Sequence, residues 1–224
     1  SILPVKEYTE GHYIFMATAN CTVKKTELTN FARQRSVGLR ALELEEGDVL
    51  IGTAVTNGTC DVMLFSSSGK AVRFNENDVR AMGRTAKGVR GIRMADGQKM
   101  ISLLVPKDGG RMLSVSENGY GKRSSLDAYR ITNRGGKGVK TISITEKTGK
   151  LVSLKNVTDN DDLMIINKSG IAIRMEVASL RVMGRATQGV KLINLKENDS
   201  IAAVAKVVHD DDDVQDLEDI DVNV

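Results

Sequence analysis

The sequence predicts an all-β repeat protein of propeller type, with about four four-stranded blades. Three observations carry that prediction. First, a glycine followed by an aliphatic residue and a base recurs as Gly38-Leu39-Arg40, Gly88-Val89-Arg90, Gly138-Val139-Lys140 and Gly189-Val190-Lys191, at spacings of 50, 50 and 51 residues. A period in this range marks a repeat architecture. Second, each copy holds four short apolar runs separated by polar turns, with few helix signals. Third, bases recur at the same internal positions of each copy, which draws a line of positive charge along the assembled protein.

The elements follow in order. Each repeat opens with an apolar run: Tyr13-Ile14-Phe15-Met16, Val62-Met63-Leu64-Phe65, Arg111 to Val115, and Leu163-Met164-Ile165-Ile166. A small turn comes next, with Gly69, Gly119 and Gly170 at one position and Cys21 in the first copy. Glycine there supplies positive φ in a tight hairpin; Cys21 must either tolerate that angle or use another turn. The second run ends in a base, and the glycine marker leads into the third run. Its alternating aliphatics (Ile92 and Met94, Ile142 and Ile144, Ile193 and Leu195) read as a strand with one buried face. A fourth run closes the repeat: Val49-Leu50-Ile51, Met100 to Val105, Leu151 to Leu154, Ile201 to Val204. The blades are expected at 10–58, 59–108, 109–158 and 159–208. Residues 1–9 resemble a closing run, since Ser1 to Val5 matches Ser102 to Pro106. They are expected to be the last strand of an upstream blade, which makes the chain a piece of a larger array.

Composition narrows the function. His209 to Val224 carries eight of the 29 acidic residues and no base, leaving 32 basic against 21 acidic residues before it, a net of +11. This segment is expected to be a disordered acidic tail, because it has little apolar surface to offset ordering entropy. Cys21 and Cys60 form no C-x-x-C pair and are expected to be reduced thiols. His12 and His209 are thin material for a zinc or Ser-His-Asp site. No tyrosine is surrounded by a catalytic set, no metal site is predicted, and no apolar run reaches the length of a membrane helix.

Stacking the repeats gives four basic columns: Lys25, Arg73, Arg123, Arg174; Arg80, Arg130, Arg181; Arg84, Arg134, Arg185, with Arg35 nearby in the first copy; and Arg40, Arg90, Lys140, Lys191. Arg33, Lys87 and Lys137 lie in the same loops. Surface charge that served only solubility would mix signs, yet Arg80 to Arg93 contains four arginines, one lysine and no acid. Such a stripe suits a phosphate backbone. No aromatics interleave for stacking on single strands, and no helix reader is apparent, so backbone contact to duplex DNA with little sequence preference fits best. Asn133 to Gly138 lacks the Walker arrangement and reads as a flexible loop whose backbone can approach a phosphate.

The stretches Phe15 to Lys25, Val79 to Gly83, Gly88 to Arg93 and Asn118 to Arg123 strongly resemble the C-terminal domain of the bacterial DNA gyrase A polypeptide, and the resemblance covers the whole chain. It implies a β-pinwheel in which hairpins exchange between neighbours, normally six-bladed, of which this chain looks like the last four blades plus the acidic tail. It further implies that DNA is wrapped on the rim to set the handedness of a crossing for ATP-dependent negative supercoiling. The partners implied are the remainder of the gyrase A polypeptide and the gyrase B polypeptide in an A2B2 complex, in the bacterial cytoplasm at the nucleoid. Catalysis, ATP and magnesium belong to other domains, so the chain itself is expected to hold no cofactor. The hallmark Q-R-R-G-G-[KR]-G box is represented only by the degenerate Thr132 to Gly138. Competing readings are the equivalent domain of topoisomerase IV, whose repeats are more degenerate, and a protein-interaction propeller. The opposed charges predict that the tail competes with DNA for the rim. Deleting 210–224 is therefore expected to tighten DNA binding at low salt in a fluorescence-anisotropy titration; an unchanged affinity refutes that competition.

Overall fold

Every repeat is built on the same tight hairpin. An N–H bonds the carbonyl three residues back, from Cys21 to Thr18, Gly69 to Ser66, Gly119 to Ser116 and Gly170 to Asn167. The donor residue has φ of 76°, 74°, 80° and 86° respectively. The first repeat thus uses the same turn as the others, with Cys21 tolerating a left-handed conformation that glycine adopts freely. A side-chain oxygen at the start of the turn accepts a further N–H: Thr18 from Thr22, Ser66 from Lys70, Asn167 from Ile171.

The computed structural model describes residues 3–33 and 35–208. The first repeat contributes β1 (Tyr13–Thr18), β2 (Thr22–Glu27) and β3 (Leu50–Thr56). The second contributes β4 (Asp61–Ser66), β5 (Lys70–Asn75), β6 (Val89–Arg90) and β7 (Met100–Leu104). The third contributes β8 (Arg111–Ser116), β9 (Tyr120–Ser125), β10 (Val139–Lys140) and β11 (Leu151–Val157). The fourth contributes β12 (Asp161–Asn167), β13 (Ala172–Glu176), β14 (Val190–Lys191) and β15 (Ile201–Val208). All pairings between strands are antiparallel. The sheet orders are β3-β1-β2-β6, β10-β5-β4-β7, β11-β8-β9-β14 and β13-β12-β15.

The short third strand of the second, third and fourth repeats therefore completes the sheet of the repeat before it, the exchange that the family resemblance implied. Its glycine explains the sequence marker. A Cβ on Gly88 would lie 2.6 Å from the Val23 carbonyl oxygen, on Gly138 2.6 Å from that of Ala71, and on Gly189 2.5 Å from that of Gly121. Only a residue without a side chain lets the strand approach its host so closely. Among the described residues the last sheet has three strands, with no marker segment paired to β13. Residues 3–9, expected to form a closing strand, contain no strand, and a strand forms only where a partner strand receives its ladder. The acidic segment 209–224 lies outside the described residues.

The core consists of three seams between successive blades. Phe15, Val23, Leu64, Phe74 and Ile92 fill the first; Met63, Phe65, Met112, Tyr129 and Ile142 the second; Leu113, Val115, Leu163, Ile165 and Val177 the third. Adjacent residues of one strand serve opposite seams, as Leu64 and Met63 do. Both faces of the second and third hairpins are thus buried, and their first runs read as continuous apolar sequence rather than as alternation. A one-turn 3-10 segment follows each second strand: Leu28–Phe31, Glu76–Asp78, Leu126–Ala128 and Val177–Ser179.

Two lysines lie fully buried in the second strands of alternate blades. Lys24 Nζ donates to the carbonyls of Ala41 and Arg84, and Lys122 Nζ to the Gly184 carbonyl and the Thr187 hydroxyl. Each pins a loop of a glycine-marker segment or of the following repeat. Burial lowers both ammonium groups, with smaller contributions from Arg84 and Arg185 respectively, and takes Lys122 to about 8. Unfolded Lys122 keeps its proton to about pH 10.4. Between these values the unfolded state binds more protons, so stability rises with pH. Urea unfolding of wild type and Lys122→Met from pH 7 to 10.5 should show the wild type gaining roughly 2–3 kcal/mol relative to the variant; a pH-independent difference refutes the charge burial.

Candidate nucleic-acid interface

The four basic columns divide into two kinds once their neighbours are known. Every member of the first column is ion-paired: Lys25 to Glu76, Arg73 to Asp61, Arg123 to Asp159 and Arg174 to Asp162. Three also reach into the next blade's 3-10 segment. Lys25 Nζ donates to Asn77 Oδ1, Arg73 to the Leu126 and Tyr129 carbonyls, and Arg123 to those of Ala178 and Leu180. These carbonyls lie at the end of a 3-10 turn, where main-chain acceptors run short of helical donors, although Leu126 also accepts the Tyr129 N–H, and one guanidinium reaches two of them. Lys25 also sits 4.6 Å from the Tyr13 ring centroid. Lys25 and Arg123 are buried, at 3% and 6% exposure. The expectation that Lys25, Arg73, Arg123 and Arg174 bind DNA is therefore corrected. Their head groups are engaged by carboxylates, and in three of the four they also clamp one blade to the next.

The remaining columns differ. Among the described residues no member of the second, third or fourth column is ion-paired. Arg80, Arg130 and Arg181 are exposed on the loops that leave the 3-10 segments. Arg40, Arg90, Lys140 and Lys191 are exposed at the marker segments. Arg33, Arg35, Lys87 and Lys137 are exposed in the same loops. Arg84, Arg134 and Arg185 are half-buried and join the columns: their Nη1 atoms donate to the main-chain carbonyls of Arg40 (3.5 Å), Arg90 (2.5 Å) and Lys140 (2.6 Å). Each third-column arginine thus holds the backbone under the fourth-column base of the preceding repeat. Its remaining guanidinium N–H groups extend beyond that bond.

These loops overlap like tiles. Gly135 N–H bonds the Gly91 carbonyl, Arg93 N–H the Gly136 carbonyl, and Ser143 N–H the Thr187 carbonyl. Arg130, Arg134 and Lys137 converge on a depression floored by Gly135 and Gly136; Arg33, Arg35 and Arg84 line a second, with Leu39. The result is a continuous band of unneutralised bases with close access to main chain. Sequence reasoning missed the clamp role of the first column, although a signal exists: Asp61 precedes Arg73, and Asp162 precedes Arg174, by twelve residues. That spacing sets acid beside base across a hairpin. It also missed the buried lysines, whose polar identity hides inside an apolar seam.

A propeller-like repeat protein with a basic band along its loop edge is the class these features define. Comparison with known proteins gives the particular family. The family described as the DNA gyrase C-terminal domain, beta-propeller, matches at residues 12–57, 61–107, 111–158 and 161–207, and the chain belongs to it. The DNA gyrase A polypeptide of Salmonella typhimurium is 48% identical over 224 residues, all of this chain and 25% of the relative. That of Escherichia coli (strain K12) is 46% identical over 221 residues, 99% of this chain and again 25% of the relative. The chain thus spans about a quarter of the curated relatives it matches. A solved DNA gyrase A C-terminal domain superposes with a TM-score of 0.80 at 27% identity, covering 91% of this chain and 68% of that one. The C-terminal domain of DNA topoisomerase IV gives 0.85 at 22% identity, covering 92% and 65%, a likeness of fold alone.

The division of the columns predicts opposite stability effects. Arg123→Ala strands the buried Leu180 carbonyl and should lower the unfolding free energy by about 2 kcal/mol. Arg130→Ala, on an exposed loop, should stay within about 0.5 kcal/mol of wild type. Chemical denaturation of both variants checks the assignment.

Proposed function

We propose that this chain holds double-stranded DNA by its phosphates along the basic band, bends or wraps it largely without regard to sequence, and so sets the handedness of a DNA crossing for ATP-dependent negative supercoiling by DNA gyrase. The observation that carries this reading is the contrast between one neutralised column and three unneutralised ones that run blade to blade through shared main-chain bonds. An interface evolved for a protein partner is depleted of charge at its centre, whereas this band is made of charge. Membership of the gyrase C-terminal family and the identity to gyrase A polypeptides favour gyrase over topoisomerase IV. On this reading the partners are DNA, the remainder of the gyrase A polypeptide and the gyrase B polypeptide of an A2B2 assembly in the bacterial cytoplasm at the nucleoid. ATP and magnesium act through other domains. Among the described residues no helix is long and apolar enough to cross a membrane.

Each base that meets a phosphate releases counterions, so affinity must fall steeply with salt. A plot of log K against log salt for a DNA duplex is expected to have a slope steeper than about −4. Arg130→Ala should make it shallower by about 1, and Arg174→Ala should leave it unchanged. A flat salt dependence refutes phosphate contact and favours a protein-interaction module. A topology assay with ligated circles reads the wrap separately from the binding.

A further inference from the structure

An aliphatic side chain stands uncovered at the same place in two blade junctions, inside the basic band. The residue after each second-column arginine is Ala81, Ile131 or Val182. Ile131 is 59% exposed and Val182 47%, and neither belongs to an apolar seam. Their main chain is fixed all the same. Each forms a parallel bridge to the first-column base of the preceding repeat: Ala81 with Lys25, Ile131 with Arg73, Val182 with Arg123. The next N–H, on Met82, Thr132 or Met183, bonds that base's carbonyl at 2.8 Å in all three. Two residues earlier the chain is anchored again, because Val79, Tyr129 and Leu180 are buried. Rigid backbone thus presents an aliphatic group to solvent between two bases, Arg130 and Arg134 around Ile131, Arg181 and Arg185 around Val182. Arg130, Thr132 and Arg134 line the depression beside Ile131, and neither loop holds an acid between its second-column arginine and its marker lysine.

We propose that Ile131 and Val182 lie against the sugars of the bound duplex and select deoxyribose over ribose. The proposal rests on the phosphate contact put forward above. A duplex backbone alternates charged phosphate with sugar, and the edge of a deoxyribose is carbon and hydrogen. A band that sets an aliphatic side chain between two bases matches that alternation: the guanidinium groups take phosphates, and the group between them meets the sugar. A lone exposed aliphatic residue is ordinary, and an extended bridge favours a β-branched residue. Threonine meets that backbone preference equally well, so it does not explain the wholly apolar Ile131 and Val182. Both are stiff at χ1, so little side-chain freedom is lost on contact. Ribose changes the balance. Its 2′-hydroxyl is the group by which a protein tells RNA from DNA. Set against Ile131 or Val182, it loses water and gains no hydrogen-bond partner. The second-repeat counterpart, Ala81, is too short to press on the sugar, so discrimination is concentrated at the two later junctions.

Competition anisotropy with the full chain, at one salt concentration, tests it on three duplexes of a single sequence: DNA, RNA, and a 2′-fluoro duplex that keeps the A-form without a hydroxyl. Wild type is expected to bind DNA at least about tenfold more tightly than RNA, with the 2′-fluoro duplex close to DNA. The double variant Ile131→Thr, Val182→Thr keeps the β-branch and offers the ribose a partner. It should bring RNA to within about threefold of DNA, with circular dichroism and the urea midpoint unchanged. Ala81→Ile, a separate exposed change, should widen the gap between DNA and RNA. Equal wild-type affinity for DNA and RNA overturns the proposal, as does discrimination that survives the double variant. A 2′-fluoro duplex that binds as weakly as RNA assigns the preference to helix shape and likewise overturns it. None of these changes alters a charge, so the salt slope for DNA stays as in wild type. A steep slope without sugar discrimination removes this inference and leaves phosphate contact standing; a flat slope removes both.

Discussion

Everything in this fold depends on one close approach: a glycine main chain laid against the carbonyl of the neighbouring hairpin, at a distance that no side chain allows. Gly88, Gly138 and Gly189 make that approach at the three blade junctions. It carries the third strand of one repeat into the sheet of the one before. It also sets the side chain that follows the aliphatic residue, a base in every repeat, at the outer end of a two-residue strand. No blade is complete from its own repeat, and each apolar seam is shared by two. Stability is therefore held in the junctions, as in other quasi-linear arrays, and charge is delivered to the edge by the same backbone that closes the sheet.

Carboxylates decide which bases remain available. The first column sits at the ends of second strands, where a hairpin partner or a neighbouring loop brings an acid within ion-pair distance and the next 3-10 turn presents bare carbonyls. Burying Arg123 or Lys25 there is tolerable only because each charge is paired and hydrogen-bonded. Beyond that turn the loops hold few acids. Asp78 is an exception, and it accepts the main-chain N–H of Arg134 rather than the guanidinium, which bonds the Asp78 carbonyl. Identical residue types thus staple the seams in one column and present charge in the others, and the neighbours make the difference.

The repeat and the strand order within it were legible in the sequence because glycines and bases survive at fixed positions where geometry permits nothing else. The hairpin was legible from its turn glycines, but that Cys21 takes the same left-handed angle was left open by the sequence and is seen only in the structure. The exchange of the third strand was not legible from periodicity, since a two-residue strand carries no alternation of its own; only the family resemblance implied it. The clamp role of Lys25, Arg73, Arg123 and Arg174 was hidden because column alignment records that a base recurs, not which acid faces it. Asp159 pairs with Arg123 from the next repeat, a contact that local spacing does not reveal. Lys24 and Lys122 were hidden for the opposite reason. A lysine in an apolar strand reads as surface until the fold shows carbonyls gathered around its ammonium.

The proposed bending of DNA sets a demand that this architecture is suited to meet. Smooth bending of a 20–30 bp duplex by 40–90° costs on the order of 1–6 kcal/mol, and single surface charges contribute little each. A flexible basic surface would lose much of its return in ordering its own side chains. Here the third-column arginines are already tied to the carbonyls beneath the fourth column, and the loops are tied to one another. The ordering is done during folding, so a greater share of each phosphate contact is left to offset the bend. The same logic makes the number of junctions, rather than the number of bases, the quantity that limits curvature, because each junction adds one pre-ordered arginine and one exposed base at a repeated angular step.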